Sequence, residues 1–86
     1  MPRVLLPETV SIGDALEIEF RYKNDDLKID EMHSVVVKVA HLGKVNGKIT
    51  YIVLSPDGWS VTKEGRGWRL HRASYTDKVV SISKVS

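Results

Sequence analysis

The sequence predicts an all-β protein, a small antiparallel barrel of five or six strands. Three observations carry this: apolar and polar residues alternate with period two, β-branched residues gather in short runs, and turn-forming residues separate those runs at short intervals. No segment makes a convincing helix, and five segments read as confident strands, which places the chain in the all-β class.

The first strand is Ala15 to Lys23, where Leu16, Ile18, Phe20 and Tyr22 point one way and Glu17, Glu19, Arg21 and Lys23 the other. Such alternation describes an antiparallel strand with one face buried. Ser11-Ile12-Gly13-Asp14 supplies turn chemistry before it. Asn24-Asp25-Asp26 ends it with side chains that compete for local backbone hydrogen bonds. Leu27 to Met32 is read as loop, with a short strand or a helical turn as alternatives.

His33 to Leu42 carries Val35, Val36, Val37 and Val39, whose stiff χ1 torsions suit a pleated surface. Asn46-Gly47 can take the two positive φ angles of a type I′ turn, so Lys48 to Ser55 returns as a hairpin partner. Val45 opposite Lys48 sets a register with Leu42 against Tyr51, His41 against Ile52, Ala40 against Val53 and Val39 against Leu54. Both faces are then largely apolar, as in a central or covered strand.

Ser55-Pro56-Asp57-Gly58 reverses the chain again, with proline presetting φ. Trp59 to Thr62 and Trp68 to Arg72 form a second hairpin about a glycine-containing loop, Lys63 to Gly67. Ala73 to Asp77 breaks the pattern. Lys78 to Val85 is a closing strand, with Val80 and Ile82 on one side and Val79, Ser81, Ser83 and Val85 on the other. A barrel is more economical than a sandwich at this length because closure removes open edges. The run Val10-Ser11-Ile12-Gly13-Asp14-Ala15-Leu16-Glu17-Ile18 resembles the hydrophobic, Gly-Asp, strand opening of SH3-like and related small barrels. The likeness covers nine residues and implies the barrel fold alone.

The whole chain, residues 1–86, reads as one domain. At this length only about 60 to 65% of the unfolded surface is buried on folding, which argues against a deep enclosed active site. With 42% apolar and 28% charged residues the composition is that of a globular fold. The absence of cysteine excludes disulfides and thiolate chemistry and fits a reducing, cytoplasmic setting. The longest apolar run, Tyr51 to Leu54, is far short of the roughly 18 residues a membrane helix needs. Met1 to Glu8 lacks a signal-peptide apolar core and reads as mature sequence.

The net charge of +2 conceals a split. Residues 1–43 carry five basic and eight acidic side chains, residues 44–86 eight basic and three acidic. A polarised distribution of this kind can orient a domain on an anionic partner.

Little points to catalysis. His33, His41 and His71 show no close metal-ligand spacing, and His41 reads as a partly buried histidine satisfied by backbone. Glu17 and Glu19 belong to the polar face of a strand, and Asp25 and Asp26 to a turn. Gly65-Arg66-Gly67 lacks the strand-to-helix context and Lys-Ser or Lys-Thr ending of a phosphate loop. No enzyme activity, cofactor or metal is therefore expected.

The second hairpin gathers the remaining clues. Lys63, Arg66, Arg69, His71 and Arg72 fall within ten positions, flanked by Trp59 and with Trp68 among them. Cations interleaved with aromatics are what a stacking platform in an electrostatic groove requires. Alternation assigns Trp68 to the core and leaves Trp59 as the more exposed ring. The expectation is a nucleic-acid-binding barrel in which Lys63, Arg66, Arg69 and Arg72 meet phosphates, His71 belongs to the same basic surface, and Trp59 stacks or packs against a base or sugar. The alternatives are a protein-interaction module using the same surface or an open strand edge, and an assembly component pairing acidic and basic halves of neighbours.

Overall fold

The structure, a computed structural model, describes residues 10–55 and 57–85. The N-terminal segment read as mature sequence, Met1 to Glu8, and Pro56 of the second turn lie outside the described residues. Six antiparallel strands form a closed barrel: β1 (Ala15–Asn24), β2 (Ile29–Val45), β3 (Lys48–Leu54), β4 (Trp59–Glu64), β5 (Gly67–Arg72) and β6 (Tyr75–Val85). Each pairs with its neighbour in sequence, and β6 returns to β1.

The period-two pattern places the core. Leu16, Ile18 and Phe20 of β1, Val37 and Val39 of β2, Ile52 and Leu54 of β3, Val61 of β4, Trp68 and Leu70 of β5, and Val79 and Ile82 of β6 fill the interior. Burying each such side chain contributes about 1.5 to 3 kcal/mol. The segment before β1 is tied to the barrel by the Gly13 N–H, which donates to Val39 O at 2.8 Å, and by the Val39 N–H, which donates to Asp14 O at 2.8 Å. Asp14 Oδ2 accepts the Ser11 N–H at 2.8 Å, closing the expected turn. The Asn46-Gly47 turn has both φ angles positive, +53° and +78°, as type I′ requires.

Four sequence expectations are corrected, each for a physical reason. Leu27 to Met32 is not all loop: Ile29 to Met32 begins β2 and pairs with Asn24 to Arg21 of β1. The connection shrinks to residues 25–28, held by the Leu27 N–H donating to Asn24 Oδ1 and by Lys28 in the left-handed region. The β2–β3 register agrees at Val45–Lys48 and Val39–Leu54 but slips between them, so Leu42 faces Ile52 and His41 faces Val53. Thr50 on β3 and Ala40 on β2 are the unmatched residues, and two opposed bulges cancel over the hairpin. One face of this hairpin is buried, while Val36, Tyr51 and Val53 of the other stand exposed.

The closing strand starts at Tyr75 rather than Lys78 and carries a third irregularity. Glu19 pairs with Ser81 but Phe20 pairs with Val79, leaving Val80 without a partner. A one-residue bulge exchanges the two faces of a strand. Val79 and Ile82 therefore both enter the core while Val80 faces out. Lastly, His41 is exposed rather than partly buried. Among the described residues no helix is long and apolar enough to cross a membrane.

Candidate nucleic-acid interface

The β4–β5 ladder sorts five of the six expected site residues onto two faces. Trp59 pairs with Arg72, Val61 with Leu70 and Lys63 with Trp68. Val61, Trp68 and Leu70 are buried, so these three pairs belong to the barrel side. Between them Ser60 pairs with His71 and Thr62 with Arg69 on the outer side. Arg66 sits apart, exposed at the hairpin tip after Gly65, whose φ of +59° makes the turn. The hairpin loop is tighter than the expected Lys63 to Gly67, since Glu64 already pairs with Gly67.

The outer face aligns cations that are far apart in sequence. Arg69 of β5 stands opposite Lys78 of β6, and Lys78 stands opposite Arg21 of β1. Adjacent strands lie about 4.8 Å apart, so three exposed cationic residues occupy neighbouring positions on three strands. The Val80 bulge is what turns Lys78 outward, because an unbroken register would set Lys78 against Tyr22 on the barrel side. Like charges directly opposite one another destabilise a sheet. Carboxylates offset this at both ends of the row. Asp30 accepts from Arg21, with Nε to Oδ1 at 2.7 Å, and Glu64 pairs with Arg69. The hydrogen bond and charge of Arg21 hold the Asp30 carboxyl below its ordinary range, and Asp30 raises the Arg21 guanidinium in turn. Among the described residues, Lys78 in the middle forms no salt bridge. Beside the row, the His71 ring is held between two hydroxyls, Thr62 Oγ1 2.8 Å from Nε2 and Thr76 Oγ1 3.4 Å from Nδ1.

Arg72 and Trp59 take a different place. The Arg72 guanidinium lies 4.6 Å from the Phe20 ring centre, 5.7 Å from that of Tyr75 and 5.8 Å from that of Trp59. Its Nε and Nη2 both donate to Asp77 Oδ2, at 3.0 and 2.8 Å. Trp59 is half-buried and packed against the core rather than being a free stacking ring. Lys63 has its Nζ 5.7 Å over the Trp68 ring. The tryptophans thus hold cations of the chain itself.

Next to Arg72 the β1–β2 hairpin and the start of β6 leave an open cleft of about 330 Å³ lined by Phe20, Tyr22, Ile29, Glu31, His33 and Tyr75. The His33 ring stacks on Phe20 at 5.8 Å and 19°, and meets Tyr22 edge-on at 5.8 Å and 84°. His33 Nε2 is 3.2 Å from the Glu31 carboxylate.

Sequence reading named Arg69 but not Lys78 and Arg21, which the structure sets beside it. Strand alternation gives Arg21 its outward direction, yet the β1–β6 and β5–β6 registers that align the row are set by closure and by a bulge. Among the described residues no cluster of three histidine, aspartate or glutamate side chains is arranged as metal ligands. No protein-family model matches this chain, and neither a curated protein nor a solved structure matches it.

Proposed function

We propose that this chain is a non-enzymatic, cytoplasmic nucleic-acid-binding barrel whose phosphate-contacting surface is the outer row Arg69, Lys78 and Arg21, extended by Arg66 at the tip of the β4–β5 hairpin. The observation that carries the reading is the register that sets Lys78 between two arginines, an arrangement unfavourable to the sheet on its own account. Asp30 and Glu64 balance the two arginines, and the cation of the row without a carboxylate among the described residues is Lys78, which leaves it for an outside anion. An anionic strand laid along the row would relieve the repulsion and release its own counterions.

The test is fluorescence anisotropy of a labelled single-stranded oligonucleotide at several salt concentrations. Neutralising three or four phosphates gives a slope of log affinity against log salt of about −2 to −3. Lys78→Glu and Arg69→Glu each reduce the slope by about 0.7 or more. Trp59 and Trp68 both lie on the barrel side, so a labelled oligonucleotide reports this surface better than intrinsic fluorescence. A folded protein that binds no oligonucleotide at the lowest salt sinks the reading and directs attention to a protein partner.

A further inference from the structure

The cleft at the barrel mouth has a chemistry of its own, and it lies on the other side of the strand that carries the cationic row. Arg21 points outward between Phe20 and Tyr22, both of which line the cleft. Arg21 is one residue along β1, about 3.3 Å, from each of these two walls, which brings a strand held at Arg21 close to the opening. We propose that the cleft receives one unstacked nucleobase of a single-stranded nucleic acid, an inference that rests on the proposed nucleic-acid function and names the form of its ligand.

Four features support this occupant. The volume of about 330 Å³ lies at the small end of ligand sites. Its walls are rings: Phe20, Tyr22, His33 and Tyr75, and bases stack on aromatic faces whatever their sequence. Beside the His33 imidazole and the two tyrosine hydroxyls, its charged groups are a guanidinium that donates, Arg72, and a carboxylate that accepts, Glu31, which also lies 3.2 Å from His33 Nε2. Arginine matches the acceptor atoms of a base and glutamate matches an exocyclic amine, so a base carrying both, such as cytosine, satisfies the two together. Finally, Arg72 is immobilised before any ligand arrives, since Asp77 holds Nε and Nη2 and the guanidinium carbon lies over the Phe20 ring. Fixing a recognition group in advance lowers the ordering cost of binding.

A base paired in a duplex cannot enter, so the cleft implies a preference for single strands. Two measurements on the intact chain test it. The first titrates cytidine, which carries no phosphate, while aromatic proton resonances of Tyr22, His33 and Tyr75 are followed by NMR. The second compares oligo(dC) with a duplex for the wild type, Tyr75→Ala and His33→Ala; both positions are exposed, so these variants retain the core. The expected result is shifts confined to the cleft with cytidine, and a loss of about tenfold in single-strand affinity for each variant, with duplex affinity and salt slope unchanged. Oligonucleotide binding with a normal salt slope, no cytidine shifts and no effect of either variant overturns the cleft while leaving the cationic row standing. No binding of any oligonucleotide, oligo(dC) included, overturns both the row and the single-strand occupant of the cleft, and the cytidine titration then tells a site for a free nucleoside, with shifts at the three rings, from one for an apolar peptide side chain, with none.

Discussion

Arg72 Nη2 lies 2.8 Å from Asp77 Oδ2, joining two residues on either side of the β5–β6 turn at the one buried charged position of the described barrel. The Asp77 side chain is 6% exposed and that of Arg72 22%, so the pair is half sheltered from water. It works both as a structural clamp and as the fixed wall of the cleft.

Removing one partner of a buried ion pair costs 3 to 5 kcal/mol when the survivor is fully enclosed. Because Arg72 keeps partial access to solvent, Asp77→Ala is expected to lower unfolding free energy by about 2 kcal/mol. Arg72→Met has a similar effect by stranding the carboxylate. The double variant is less destabilised than the sum of the two, as urea unfolding in a double-mutant cycle will reveal. Strict additivity would mean that the pair carries no coupling.

Val80 is the extra residue of the β1–β6 ladder. Deleting it joins Val79 directly to Ser81 and leaves Phe20–Val79, Glu19–Ser81 and Ile18–Ile82 as consecutive pairs with every side chain on its present face. The deletion is expected to be tolerated within about 1 kcal/mol, an unusual outcome inside a strand. Deleting Glu19 instead doubles the mismatch, forces Ile18 or Phe20 out of the core, and costs about 2 to 5 kcal/mol. Thermal melts of the two variants distinguish the cases, and equal losses would contradict the assigned bulge.

Gly43 is buried directly beneath the Tyr51 ring, its cross-strand neighbour, where an added Cβ would overlap the ring carbons. Aromatic cover over a strand glycine shields a backbone that has no side chain of its own. Gly43→Ala displaces that ring, and because Tyr51 is 41% exposed it can swing into solvent. The expected cost is about 1 kcal/mol, and it vanishes in a Tyr51→Ala background. A Gly43→Ala cost that is the same in both backgrounds would show that the ring is not what the methyl meets.

Acid sensitivity comes from two carboxylates, Asp14, half-buried, and Asp30, exposed. The Ser11 N–H, opposed by some desolvation and aided by Lys84, holds Asp14 below its ordinary value of 3.8, and Arg21 does the same for Asp30. A carboxyl lowered on folding contributes stability that is complete above 3.8 and disappears as pH falls through its folded-state value. Stability is thus expected to decline from about pH 4 downward, and Asp14→Asn with Asp30→Asn flattens that decline. The raised Arg21 adds no slope in acid, since it stays charged in both states there. Urea midpoints measured across this range check the sign; a decline equally steep in the double variant would assign it to other groups.

Much of the barrel was legible because its rules are local. Leu16, Ile18 and Phe20 alternate into the core, Asn46-Gly47 forces its own turn, and Trp68 is buried as its position beside Leu70 requires. What escaped is non-local. The Ile29 to Met32 segment is a strand only because β1 lies beside it, with Arg21 and Asp30 pairing across the hairpin. The bulges at Ala40, Thr50 and Val80 are features of how strands pair, and no residue type at those positions announces them. The candidate surface suffered most. Proximity in sequence grouped Arg69 with Arg72 and Trp59, whereas Arg72 turns to the mouth and the true neighbours of Arg69 arrive from β6 and β1.

The barrel's strands follow one another around the circle in the order of the chain, and Ala15 lies directly opposite Val85. The seam between β6 and β1 therefore differs from the five other ladders only in having no covalent turn across it. A circularly permuted chain, opened at Asn46-Gly47 and joined by a short linker across that seam, retains all six ladders. Where the polypeptide is cut is incidental to this architecture; what defines it is the ring of pairings.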